Sequence, residues 1–138
     1  MANDFFSSME ISAAGLGVQR TRMNASSSNL ANVSTTRGAD GGPYRRRDVA
    51  VEAVPAGPHA PGVFGARVAE ITEDAAPPRR EFDPGHPDAD AQGYVSYPNV
   101  NMVEEMVDMI TASRAYEAGI TALDTSVALA ERATRIGG

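Results

Sequence analysis

Residues 101–136 read NMVEEMVDMITASRAYEAGITALDTSVALAERATRI. At heptad spacing Met102, Met106, Met109, Ser113, Tyr116, Ile120, Leu123, Val127, Ala130 and Thr134 fall on one line, nearly all apolar or aromatic. Glu104, Glu105, Asp108, Glu117, Asp124, Glu131, Arg132 and Arg135 stay off it. This pattern predicts a helix with one apolar seam. Asn101 suits its N-cap, with Glu104 placed to return a bond to the cap. The acidic residues at the start and Arg132 and Arg135 at the end match the helix dipole, and Gly137 and Gly138 stop the helix. At 1.5 Å per residue it is about 50 Å long. A seam of that length needs a partner.

One partner lies at the other end of the chain. From about Asp4 to Asn32, Met9, Leu16, Met23 and Leu30 repeat every seven residues, while the companion positions Phe5, Ser12, Gln19 and Ser26 are mostly polar. The stripe is therefore narrow. Gly15 and Gly17 each cost about 1 kcal/mol relative to Ala, so this second helix is expected to be ordered only when docked.

Between the helices lies a run of turn formers and short strands. Asn32 to Pro43 reads as an exit from helix. Tyr44 to Val54 alternates as a half-buried strand, with Val49, Val51 and Ala53 opposite Asp48, Ala50 and Glu52. Val63 to Thr72 alternates again, with Phe64, Ala66 and Val68 on one face and Arg67 on the other, although Ile71 falls out of phase. The two are expected to pair as a hairpin across a Pro/Gly loop. Asp74 to Gly93 reads as irregular, extended only at Arg80, Glu81 and Phe82, and Gly93 to Tyr97 as a short last strand. The predicted class is α+β: long N- and C-terminal helices packed as a coiled-coil-like pair, parallel or antiparallel, with a small, irregular antiparallel β insert. The expected boundaries are 1–36, 37–98 and 99–138.

Composition narrows the function. Gly supplies 13 and Pro 9 of the 138 residues, most of them between Gly38 and Pro98, and Trp is absent, so a large compact core is not expected. With no Cys there is neither a disulfide framework nor a thiolate metal site. All the basic residues are Arg, the net charge is -6, and the one dense basic run is Arg45, Arg46, Arg47, which argues against nucleic acid. The first residues carry Asp4 and Glu10 and no base before Arg20, unlike a secretory signal peptide. No segment has the roughly 18 apolar residues of a membrane span.

Chemistry is sparse. His59 and His86 both sit in Pro/Gly-rich loops, where solvation is expected rather than a rigid triad. Asp83, His86, Asp88 and Asp90 can be drawn as a divalent-metal loop, but the following Ala89, Ala91, Gln92 and Gly93 do not complete a calcium pattern, and Asx-turns are the better reading. The Arg45 to Arg47 run is split by strand alternation and suits a solvated edge or a bridge to an acidic neighbour. Arg114 lies beside Ser113 and Ile110, either packing its stem on the seam edge or pairing with another subunit. No catalytic, cofactor or metal site is expected.

Both ends carry a resemblance. Ser28-Asn29-Leu30-Ala31-Asn32-Val33 with Thr35-Thr36-Arg37-Gly38 resembles the amino-terminal signature of bacterial flagellar rod and hook proteins. Glu104 to Ile110 with Ser113-Arg114-Ala115-Tyr116-Glu117-Ala118 is similar to their carboxyl-terminal one, although Gly119 stands where that pattern more often has Asn. The string Asp83 to Val95, followed by Pro98-Asn99-Val100-Asn101, resembles a proximal-rod member. The resemblance implies an exported structural subunit whose terminal helices line the tube and whose β insert faces outward. It implies as partners copies of itself, the proximal rod subunits FlgB and FlgF, the distal rod protein FlgG, the basal adaptor FliE and the type III export apparatus, with no nucleic acid and no direct membrane insertion. It also implies a rod spanning the periplasm, reached without a cleaved signal.

On this reading Met102, Met106, Met109, Ile110, Tyr116, Ile120, Leu123 and Val127 pack against Met9, Leu16, Met23 and Leu30 of the same or neighbouring subunits. Asn29, Asn32, Glu105 and Arg114 set polar register. Two rivals are a freestanding helical adaptor or export-associated binding module, and a metal-dependent enzyme built on Asp83, His86, Asp88 and Asp90.

Overall fold

The computed structural model describes residues 2–58 and 61–137, with side chains from Phe5 onward. His59 and Gly138 therefore lie outside the described residues. Helix α1 spans Ala2–Ala31 and helix α2 Met102–Ile136, and four strands lie between them: β1 (Arg47–Pro55), β2 (Phe64–Glu73), β3 (Arg79–Phe82) and β4 (Tyr94–Tyr97). The α+β architecture is the one the sequence predicts. Asn101 caps α2, its Oδ1 accepting from the Val103 and Glu104 amides at 3.0 and 3.3 Å. The reciprocal bond from Glu104 is absent among the described residues. At the other end the Gly137 amide donates to Ala133 O at 3.1 Å.

The two helices run antiparallel. Leu16 lies against Gly119 and Asn29 against Glu105, so positions rise along one helix as they fall along the other. Buried and half-buried positions on α1 recur with Leu16 at alternating spacings of three and four: Phe5, Met9, Ser12, Leu16, Gln19, Met23, Ser26 and Leu30. This is a coiled-coil repeat, and the polar companions Ser12, Gln19 and Ser26 belong to it. Gln19 Oε1 is buried without a hydrogen-bond partner among the described residues.

A second stripe on α1, Ile11, Gly15, Val18, Ala25 and Asn29, is also shielded, with Val18 only 4% exposed. It serves the β hairpin. Asn29 bonds the start of β1 at Arg47, and Ile11 lies 3.8 Å from where a Cβ on Gly65 would stand, near the far end of the ribbon. Strand β1 covers about 30 Å at roughly 3.3 Å per residue, and the α1 segment between those points about 27 Å at 1.5 Å per residue. The hairpin therefore runs along the helix. α1 packs on α2, β1 and β2, while α2 reaches the hairpin through Arg46 at its base, which pairs with Glu105 and Asp108; α1 is therefore the middle layer. The expectation of a narrow stripe on α1 is corrected accordingly: Met9, Leu16, Met23 and Leu30 are part of the side turned to α2, and a second side serves the hairpin.

β1 and β2 pair antiparallel from Arg47↔Glu73 to Pro55↔Phe64, and the register jumps from Ala50↔Glu70 to Val51↔Val68. Ala69 is the extra residue of this bulge. It resets the alternation, so that Ile71, opposite Val49, returns to the face of Val51 and Val68, which accounts for its broken phase. β3 and β4 form a separate antiparallel ribbon, Arg79↔Tyr97 to Phe82↔Tyr94. The run read as irregular thus contains a paired strand. The turn entering β4 requires glycine: Gly93 has φ +84°, and a Cβ there would lie 2.9 Å from Phe82 Cε2 and 3.1 Å from Pro84 Cβ.

Candidate functional site

The most buried polar residues meet where α1 ends, β1 begins and α2 starts. Asn29 and Glu105 are each 1% exposed. Asn29 Nδ2 donates to Arg47 O at 2.9 Å and to Glu105 Oε2 at 3.0 Å. Its Oδ1 accepts from the Arg47 amide at 2.8 Å and from Tyr44 Oη at 2.9 Å. All four hydrogen-bonding positions of the amide are used. The other Glu105 oxygen accepts from Arg46 Nε at 2.5 Å, and Arg46 Nη2 lies 3.9 Å from Asp108 Oδ2. Burial alone would lower the Arg46 pKa, but the hydrogen bond and charge of Glu105, helped by Asp48 and Asp108, outweigh it and hold the guanidinium above its ordinary value.

This clasp joins residues far apart in sequence, and a buried carboxylate is tolerable only with such partners. The sequence reading selected Asn29 and Glu105, which the structure brings together. It treated Arg46 as one of a solvated or bridging run, and the bridge is the outcome; Tyr44 it did not select. Asn32 sits one turn on, its Nδ2 donating to Ser28 O at 2.9 Å and its Oδ1 accepting from Thr35 Oγ1 at 3.1 Å, which closes the end of α1. Arg114 is exposed and has no ion pair among the described residues.

The predicted seam of α2 divides. The side shielded by α1 is Glu105, Met109, Ala112, Tyr116, Gly119, Leu123, Ser126 and Ala130, again at alternating spacings of three and four. It keeps the predicted Met109, Tyr116, Leu123 and Ala130, but its other line is the small residues Ala112, Gly119 and Ser126. A Cβ on Gly119 would lie 2.6 Å from Leu16 Cδ2, so the missing side chain is what lets Leu16 seat there. The larger residues one position on, Ile120 and Val127, remain 39% and 36% exposed. Met102, Met106 and Ile110 are 52%, 46% and 50% exposed. The heptad spacing of Ala112, Gly119 and Ser126 was the available signal, passed over because bulk apolarity drew the line elsewhere.

The Asp83 to Asp90 loop performs structural work. Asp90 Oδ1 accepts from the Gln92 and Tyr94 amides, both at 2.9 Å, and Oδ2 pairs with Arg80 at 2.5 Å. Asp88 accepts from Thr36 Oγ1 at 2.7 Å and pairs with Arg37 at 2.5 Å, docking the loop on the exit of α1. The pKa of Asp88 is lowered chiefly by the Thr36 bond, with help from Arg37, and that of Asp90 chiefly by the Tyr94 amide. The Asx-turn reading matches Asp90. His86, expected to be solvated, is instead half-buried: its ring lies 6.2 Å from that of Tyr97, and its Nδ1 accepts from the Asp88 amide at 3.0 Å. Among the described residues no group of three or more His, Cys, Asp or Glu is arranged to hold a metal.

A helical pair clasped at one end, with a large apolar helix face uncovered, is the surface of an assembling protein rather than an enclosed site. Comparison with known proteins gives its class: residues 91–136, which enter β4 and run through α2, match the family model described as flagellar basal body rod FlgEFG protein C-terminal. Over nearly the whole chain the similarity is to flagellar basal-body rod proteins FlgC. That of Borreliella burgdorferi is 44% identical, covering 95% of this chain and 96% of the relative. That of Bacillus subtilis is 37% identical over 96% of this chain and 97% of the relative, and that of Salmonella typhimurium 43% identical over 84% and 85%. The chain belongs to the FlgC family of flagellar basal-body rod proteins.

Proposed function

We propose that this chain is a structural subunit of the proximal part of the flagellar rod, joined to its neighbours by the uncovered side of α2 and by the flank of α1 beside it. The observation that carries this reading is the division of α2: α1 takes the small-residue line, while Met102, Met106, Ile110, Ile120 and Val127 stay exposed. Exposed apolar surface of this extent marks an interaction site. On this reading the chain has three functional parts, 1–36 and 99–138 as the rod core and 37–98 as the outer insert. Its neighbours are copies of itself and other axial proteins of the FlgB, FlgF, FlgG and FliE kinds, reached after passage through the type III export apparatus into the periplasm. The clasp orients the two helices, and the subunit works by packing rather than catalysis. No described helix is long and apolar enough to cross a membrane. Replacing Ile120 with Asp tests the reading: the purified chain keeps its helical content while rod assembly and motility are lost. Normal motility in that strain overturns it.

A further inference from the structure

Five exposed or half-exposed residues on the far half of α2 form one ridge: Glu117, Ile120, Asp124, Val127 and Glu131, at spacings of three, four, three and four. Residues so spaced are neighbours on one helix face. The three carboxylates stand one heptad apart, interleaved with the two apolar side chains, and none has an ion pair among the described residues. In a helix pair, an apolar line flanked by like charges selects a partner carrying the opposite charge at the same repeat. This chain does not supply that partner from its helices. The basic residues of α1 and α2 are Arg20, Arg22, Arg114, Arg132 and Arg135, and no two of them are seven apart.

We infer that this ridge is the docking site for a helix of a different protein, one whose apolar heptad line is flanked by Arg or Lys at seven-residue spacing, and that copies of this chain do not meet each other here. The inference rests on the proposed rod function and names the kind of neighbour at this position. A second copy docked here would set the acidic line either against its own counterpart, where like charges repel, or against α1, which has no bases at that repeat and leaves the carboxylates unpaired.

The test places a photo-crosslinking amino acid at Val127 in cells that build flagella, followed by isolation of basal bodies and sequencing of the adduct. The expected adduct joins Val127 to a helix of another axial protein bearing Arg or Lys seven residues apart. An adduct with this chain itself overturns the inference, as does one with a peptide lacking that basic pair, or no adduct when the same probe at Met106 gives one. Absence of the chain from basal bodies instead overturns the rod reading on which the inference stands. As a second measurement, Glu117→Gln, Asp124→Asn and Glu131→Gln together lower the adduct yield about ten-fold with helicity unchanged; an undiminished yield overturns the inference. If the triple change reduces helicity, Asp124→Asn alone carries the same comparison, with a smaller reduction expected and an unchanged yield counting against the inference.

Discussion

The two sides of α2 obey different rules. Toward α1 it presents Met109, Tyr116 and Leu123 alternating with the small residues Ala112, Gly119 and Ser126 and, at its start, a carboxylate whose bonds are satisfied by Asn29 and Arg46. Away from α1 it presents Met, Ile and Val, with charges that lack partners among the described residues. The inner side is finished within one chain and determines the fold. The outer side is unfinished and determines assembly. The sizes of the side chains contribute to the division, because the line of Ala112, Gly119 and Ser126 leaves room for α1 side chains such as Leu16 beside Met109, Tyr116 and Leu123, while Met102, Met106, Ile110, Ile120 and Val127 are left exposed.

The largest expected effect tests the inner side. Asn29→Ala removes bonds to Arg47, Tyr44 and Glu105 together, and although Arg46 still holds one Glu105 oxygen, leaving the other and the Arg47 backbone unsatisfied costs on the order of 3 kcal/mol. Urea unfolding should show that loss, and rod incorporation should fall with it. A variant as stable as the parent would show that the clasp does not hold the fold. Charging the outer side separates the two functions: Met106→Asp should change stability by less than about 0.5 kcal/mol yet abolish incorporation. An equal loss of stability would erase the distinction.

Smaller effects sharpen it. Gly119→Val places a branched side chain against Leu16 and should destabilise the pair by about 1 to 2 kcal/mol. Gly119→Ala should be close to neutral, since the gain of about 1 kcal/mol in helix propensity offsets the displacement of a flexible Leu16 terminus. Thermal melts of the two variants decide the order. The smallest effect concerns the β3–β4 loop. Asp88 and Asp90 have pKa values below the ordinary 3.8, so their contribution is present above pH 3.8 and is lost as pH falls through the lowered values. Hydrogen exchange at Tyr94 and Ser96 should rise only below that pH, and loosening near neutrality would contradict the assignment.

Much of this organisation was legible in the residues. The helices, the Asn101 cap, the hairpin and the class of protein follow from periodicity, turn chemistry and terminal motifs. Three positions of the inner α2 side were not legible, because Ala112, Gly119 and Ser126 carry little hydrophobic signal and matter through the space they leave. The second stripe of α1 was hidden for a similar reason: Gly15, Ala25 and Asn29 do not look like a core until a hairpin lies on them. The clasp required knowing that Tyr44, Arg46 and Glu105 converge, and sequence separation conceals that. The packed state of His86 depends on Tyr97, a contact that a loop composition rich in Pro and Gly does not announce.

Oxidative footprinting of the methionines, in the free chain and in isolated basal bodies, tests the division of α2 most directly. Met102 and Met106 should be oxidised readily in the free chain and strongly protected in the assembled rod, while Met23, already half-buried against α2, changes little. Equal oxidation of Met102 and Met106 in both states would mean that the outer side of α2 stays uncovered in the rod, and the account would fail.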